Sequence, residues 1–179
     1  MQTYISILRG INVSGQKKII MSDLKDLYEG LGFSAVQTYI QSGNVIFNSD
    51  SNPDKIIGLI SQKIKEVYDF DVPIIIRTHN ELTESIKHDL FLNKRKEDQS
   101  KLHITFLEAS PNPEIALSFD REKFLPDEFI FHGKDIYLYT PNGYGRTKLN
   151  NNFFESKLKM TATTRNLKTV RKLIELSLP

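Results

Sequence analysis

The sequence predicts an α+β fold of two ferredoxin-like (split βαβ) halves packed together. Three observations carry that prediction. Hydrophobic runs in the first 80 residues switch between strand and helix periods in the order β-α-β-β-α-β. After the charged run Lys94-Arg95-Lys96-Glu97-Asp98, the order restarts as β-α-β-β-α. The chain has 179 residues, 39% hydrophobic and 26% charged, with only 9 Gly and 7 Pro, which is enough to bury a core and too apolar for disorder.

Thr3–Leu8 is rich in β-branched and aromatic residues and stops at Arg9-Gly10, so it reads as the first strand. A polar loop follows, Asn12 to Lys18. Met21, Leu24, Leu27, Tyr28 and Leu31 then recur at helical spacing, with Ser22 as the expected N-cap and Gly32 as the stop. Val36–Ile40 and Val45–Phe47 are short strands joined by Gln41-Ser42-Gly43-Asn44, whose Gly and Asn suit positive φ in a hairpin turn. Asn52-Pro53 opens a helix with Ile56, Ile57, Ile60, Ile64 and Val67 on one face. Val72–Arg77 is a fourth strand with apolar residues pointing both ways, as in a strand covered on both faces. Helices cover one face; the second half, a partner chain or a ligand would cover the other.

Thr78 and Glu81 have capping-box spacing for a helix from about His79 to Lys87. Lys101–Leu107 reads as a strand. A short helix follows Ser110-Pro111-Asn112-Pro113, and Asp127–Phe131 and Asp135–Tyr139 form a hairpin around His132-Gly133-Lys134. Two helices end the chain, roughly Asn151–Lys159 and Arg165–Leu176, the second capped by Thr164. The domain division falls near residues 89–100. Residues 1–89 form a ferredoxin-like half with the LRGIN loop and the IQSGN hairpin; residues 101–179 form a second α+β half with two C-terminal helices.

Composition excludes several function classes. With no Cys there is no disulfide, thiolate metal site or cysteine nucleophile. His79, His88, His103 and His132 lack the HxxxH or HxH spacing of a metal site, and Ser42 is not in a GxSxG elbow. No secretory signal or membrane-spanning run is visible, so a cytoplasmic location without membrane partners is expected. The net charge of +2 conceals an asymmetry. From Pro141 onward eight basic residues face two acidic ones, a net of +6, and the first 140 residues carry −4.

Leu8-Arg9-Gly10-Ile11-Asn12-Val13, the hairpin Thr38-Tyr39-Ile40-Gln41-Ser42-Gly43-Asn44-Val45-Ile46-Phe47 and Thr163-Thr164-Arg165-Asn166 together resemble the bacterial family called domain of unknown function 1697. Gly145-Arg146, Lys148-Leu149, Phe154-Glu155 and Thr169-Val170 through Leu173 extend the resemblance over nearly the whole chain. The sequence departs from the family at Ser14 (commonly Gly), Leu167 (commonly Trp) and Lys159, where Gly often ends the preceding helix. The resemblance implies an α+β fold with ferredoxin-like halves and implies no reaction.

The loop Gly10 to Lys18 nearly spells a Walker A motif, but Gln16 stands where the phosphate-binding Lys is required. A guanidinium, a hydroxyl and two carboxamides at Arg9, Asn12, Ser42 and Asn44 suit a phosphate, carboxylate or nucleobase, and suit equally a network holding loop backbone. Thr163 to Asn166, placed at a helix start, would add backbone N–H groups and Arg165 to an anion site. Tyr4 and Phe47 fall near the stacking positions of an RNA-recognition module, but its octamer is absent from Asn44–Asp50, so both are assigned to core.

The functional expectation is a cytoplasmic protein that binds a phosphate-bearing small molecule or nucleic acid at a polar, basic cleft. Arg9, Asn12, Ser42, Asn44, Lys148, Arg165 and Asn166 form its ligand-binding set. Two alternatives stand beside it. One is a small-molecule enzyme using Tyr39, His103 or a carboxylate as acid or base; the other is a protein-contact module whose polar cluster is structural. No catalytic residue, metal ligand, cofactor or protein partner is assigned.

Overall fold

The computed structural model describes residues 1–178. It contains two four-stranded antiparallel sheets and, among the described residues, seven α-helices. The chain divides into two compact units, one holding Met1–Glu81 with residues 173–178, the other Leu82–Lys172.

The first unit is built from β1 (Gln2–Leu8), α1 (Met21–Gly30), β2 (Ser34–Tyr39), β3 (Asn44–Ser49), α2 (Pro53–Tyr68) and β4 (Ile74–Thr78), with α3 (His79–Lys87) beginning directly after it. The strand order is β2-β3-β1-β4. Alternation places Tyr4, Leu8, Val45, Phe47, Ile74 and Ile76 in one core with Leu24 and Tyr28 of α1 and Ile56, Ile60 and Ile64 of α2. The three isoleucines are fully buried one turn apart, each contributing about 1.5–3 kcal/mol by removal from water. On the opposite face Ile5, Ile7, Ile46, Ile75 and Arg77 are buried too, as the two-faced pattern of β4 foretold. Asn52 caps α2 by accepting a bond from Lys55 N at 2.9 Å, and Thr78 and Glu81 make the expected reciprocal capping box. Ser22 does not cap α1. The helix starts two residues earlier, with Ile20 at the cap and no side-chain bond there, while the Ser22 hydroxyl donates to Asp23.

The second unit repeats the topology. Its elements are α4 (Leu90–Asn93), β5 (Leu102–Leu107), α5 (Pro113–Leu117), β6 (Glu128–His132), β7 (Asp135–Tyr139), α6 (Asn151–Leu158), β8 (Ala162–Asn166) and the start of α7 (Leu167–Leu176). The order β6-β7-β5-β8 matches that of the first sheet strand for strand. Both last strands carry a buried arginine at their fourth residue, Arg77 and Arg165, and run straight into a helix. Leu107, Phe129, Ile136, Leu138, Leu149, Phe154, Leu158 and Ala162 form the core on the α6 side.

The strand β8 corrects the sequence reading, which placed Thr163 to Asn166 at a helix start. The three β-branched or small residues Ala162, Thr163 and Thr164 pair with β5 in register Phe106↔Thr163 and Thr105↔Thr164. Thr164 shares a 2.7 Å bond with Thr105 across the strands and donates to Asn151 at 2.6 Å, so it is not a cap. That role belongs to Asn166, whose Oδ1 accepts from Thr169 N at 2.8 Å.

Two of the departures from family pattern lie where the backbone is left-handed: Ser14 at φ 51° and Lys159 at φ 57°. Lys159 closes α6, donating its N–H to Glu155 O at 2.9 Å. A Cβ is strained in this region whereas glycine is not, so Lys159→Gly is expected to stabilise the chain by about 0.5–1 kcal/mol. A raised urea midpoint with unchanged m-value checks this, and a lowered one refutes it.

Candidate functional site

In the first unit the loop after β1 and the β2–β3 hairpin are stitched together. Strands β1 and β3 pair antiparallel with Ile7 opposite Asn44, and Leu8 N donates to Gly43 O at 2.8 Å. Asn12, at φ 56°, donates through Nδ2 to Ile19 O and Gln41 O, both at 2.9 Å, and accepts from Ile19 N through Oδ1. Asn44 is not the positive-φ residue of the turn. It is the first residue of β3 and fully buried, and its Nδ2 donates to Tyr39 O at 3.0 Å and Ser42 Oγ at 3.1 Å; Ile40 and Gly43 take the positive φ values instead. Both carboxamides are thus held by loop atoms. Arg9 is half-buried, with its backbone N–H on Pro73 O at 2.9 Å. The near-Walker loop is a tight turn, with Val13 bridged to Gln16 and the Lys17 ammonium on Asp71 O at 2.6 Å. Tyr4 and Phe47 are buried and form no exposed stacking platform.

In the second unit Arg165 is buried on β8, its guanidinium donating to Thr163 Oγ1 at 3.0 Å and Thr164 O at 2.9 Å. Asn166 is exposed and spends its Oδ1 as the α7 cap. Lys148 is different. It is exposed and lines a cavity of about 340 Å³ with Arg146, Lys123, Asn142, Asp127, Phe124, Leu125 and Pro126. Of the residues singled out from sequence, Lys148 is therefore joined by two further cations, Lys123 and Arg146. Arg146 and Lys148 have no ion-pair partner among the described residues, whereas Lys123 is bonded to Asp120 at 2.9 Å.

A second cavity, of about 400 Å³, adjoins the first, because Lys123 and Phe124 line both. Its walls are Phe119, Phe153, Ile115, Ser118, Asp120 and Lys157. Aromatic packing fixes this wall. Phe124 and Phe153 lie 5.0 Å apart between ring centroids, and Phe119 meets Phe129, Phe131 and Phe153 edge-on at 5.2–5.7 Å. Asn150 caps α6 by accepting from Phe153 N at 3.0 Å, which fixes where Phe153 enters the wall. Volumes of this size are those of ligand sites. Sequence reasoning missed Lys123, Phe119, Phe124 and Phe153 because no local period joins them, while Arg146 and Lys157 belong to the basic segment after Pro141.

Two further titratable groups in this unit are withdrawn from solvent, Asp89 fully and His103 in part. Burial pushes the Asp89 carboxyl above its ordinary range although it accepts bonds from Phe91 N and Leu92 N. Burial also lowers the His103 imidazole, which stacks on Tyr144 at 4.8 Å. Among the described residues no three histidine or carboxylate groups converge to hold a metal ion, and no helix is long and apolar enough to cross a membrane.

Comparison with known proteins agrees with this architecture. A solved structure described as the conserved bacterial protein SP0830 from Streptococcus pneumoniae superposes with a TM-score of 0.73 over 99% of each chain, at 19% identity. At that identity the likeness speaks for the fold alone. No curated protein matches the chain. The family model described as "Protein of unknown function (DUF1697)" matches residues 1–137, well over half of the sequence, and includes both the LRGINV loop and the TYIQSGNV hairpin; the chain therefore belongs to the DUF1697 family.

Proposed function

We propose that this protein binds a phosphate-bearing ligand, and that the second unit supplies the anion site through Lys123, Arg146 and Lys148. The observation that supports this reading is the pair Arg146 and Lys148, exposed on a cavity of ligand size with no carboxylate partner among the described residues. An ion pair would already have satisfied them. Unpaired, a guanidinium offers a planar fork and an ammonium a mobile point charge, a combination suited to phosphate oxygens. Asn142 adds a carboxamide to the same wall. Arg9, Asn12, Ser42, Asn44, Arg165 and Asn166 have a supporting role in this proposal, since Asn12, Asn44, Arg165 and Asn166 bond to neighbouring loop, strand and helix atoms.

Titration with tripolyphosphate tests the site directly. Binding is expected to raise the melting temperature, and Arg146→Gln with Lys148→Gln is expected to abolish that rise while leaving the ligand-free melting temperature nearly unchanged, because both side chains are exposed. Full retention of the shift in the double variant refutes the assignment.

A further inference from the structure

The anion cavity does not end at its cations. It continues, through the shared residues Lys123 and Phe124, into a cavity walled by Phe119 and Phe153 and bearing another exposed cation, Lys157. Lys157, like Arg146 and Lys148, has no ion-pair partner among the described residues. The continuous groove thus presents cations in both cavities and aromatic rings between them. Its two carboxylates are Asp120, already bonded to Lys123, and Asp127.

A compact phosphate would use one cavity and leave the phenylalanine wall and Lys157 idle. A flat aromatic acid would use the rings with a single cation. A ligand matching the whole groove repeats two features along its length: an anion and a flat apolar ring. Resting on the phosphate-binding reading above, we infer that the groove takes single-stranded nucleic acid, with phosphates on Arg146, Lys148 and Lys157 and a base against Phe124 and Phe153. Duplex bases are stacked on one another and hidden from such a wall, so the single strand is selected by its free ring faces. The rings are partly exposed and braced by neighbouring phenylalanines, so no side chain must be ordered on binding.

The test is fluorescence anisotropy with the full chain and a labelled single strand of about a dozen nucleotides, beside its duplex, with tripolyphosphate and poly-glutamate as competitors. The strand is expected to bind more tightly than the duplex, and its affinity to fall steeply with added salt. Phe124→Leu and Phe153→Leu keep apolar volume and remove the ring face. Each is expected to weaken strand binding about 5- to 50-fold and to leave tripolyphosphate binding intact. Lys157→Gln, at an exposed position, is expected to weaken strand binding several-fold with the same selectivity. If all three variants bind the strand as wild type does, or if duplex binds equally well, the single-strand inference is overturned while the phosphate reading stands. If poly-glutamate displaces the strand as efficiently as unlabelled strand does, the groove serves an acidic protein and the inference is again overturned. Loss of tripolyphosphate and strand binding alike defeats both readings.

Discussion

Gly43→Ala is expected to cost about 2–4 kcal/mol, the largest effect of adding a methyl group at any of the glycines. Gly43 has φ 80°, and a Cβ there would lie 2.7 Å from Ile11 Cδ1 and 2.9 Å from both Ile11 Cγ1 and Leu8 Cβ. Leu8 Cβ is attached to a strand backbone anchored by the 2.8 Å bond from Leu8 N to Gly43 O, so it has nowhere to retreat. Conformational strain and overpacking therefore add. Gly133 provides the control: its φ is 56° but nothing lies within 4 Å, so Gly133→Ala carries the strain alone, about 1 kcal/mol. Urea titrations of both variants check the difference. Equal losses would show that the hairpin relaxes to admit the methyl group.

Alkali is expected to destabilise the fold steeply. Tyr28 and Tyr137 are fully buried, and burial raises both phenols well above their ordinary value; for Tyr28 the Ser6 hydroxyl at 2.8 Å opposes the rise, and for Tyr137 the nearby Asp135 and Asp89 carboxylates add to it. Below about pH 10 these phenols are protonated whether the chain is folded or not, and their contribution is fully present. Above it, the unfolded chain releases protons that the folded one retains. Stability then falls as pH rises, by about 1.4 kcal/mol per pH unit for each phenol. Tyr28→Phe and Tyr137→Phe should each remove one share of that slope, measured as the unfolding free energy between pH 9 and pH 11 (about one unit either side of the ordinary phenol value). An unchanged slope in both variants would mean that the phenols ionise within the folded chain.

The fold was legible in the sequence wherever burial imposes a period. Ile56, Ile60 and Ile64 repeat a helical turn, and Ile74, Ile75 and Ile76 mark a strand buried on both faces. Legibility failed where polar residues carry the structure. The strand β8 is Ala-Thr-Thr-Arg-Asn, with no apolar alternation, and it is recognisable only through its pairing with β5. Its threonines looked like caps because the same hydroxyls serve caps and cross-strand bonds equally well. Ser22 misled for a similar reason: α1 is anchored by the apolar residues Ile19 and Leu24, so its start needs no hydroxyl.

The candidate site was half legible. Lys148 and Arg146 stand out as part of the basic segment after Pro141. Lys123 and the phenylalanines do not, because the groove gathers residues from 115–127, 142–148 and 153–157, stretches with no common spacing. The polar residues of LRGINV and TYIQSGNV drew attention because they are chemically versatile. In the folded chain the carboxamides of Asn12 and Asn44 bind the very loops that display them.

The discontinuity of the first unit sets an order of assembly. Its strands come from Met1–Glu81, yet it also takes residues 173–178, where buried Ser177 accepts or donates a 3.1 Å bond with the His79 ring. The second unit, Leu82–Lys172, is uninterrupted. A ribosome therefore delivers the first unit's strands before the second unit and its remaining residues after it, so of the two halves the one begun first is completed second.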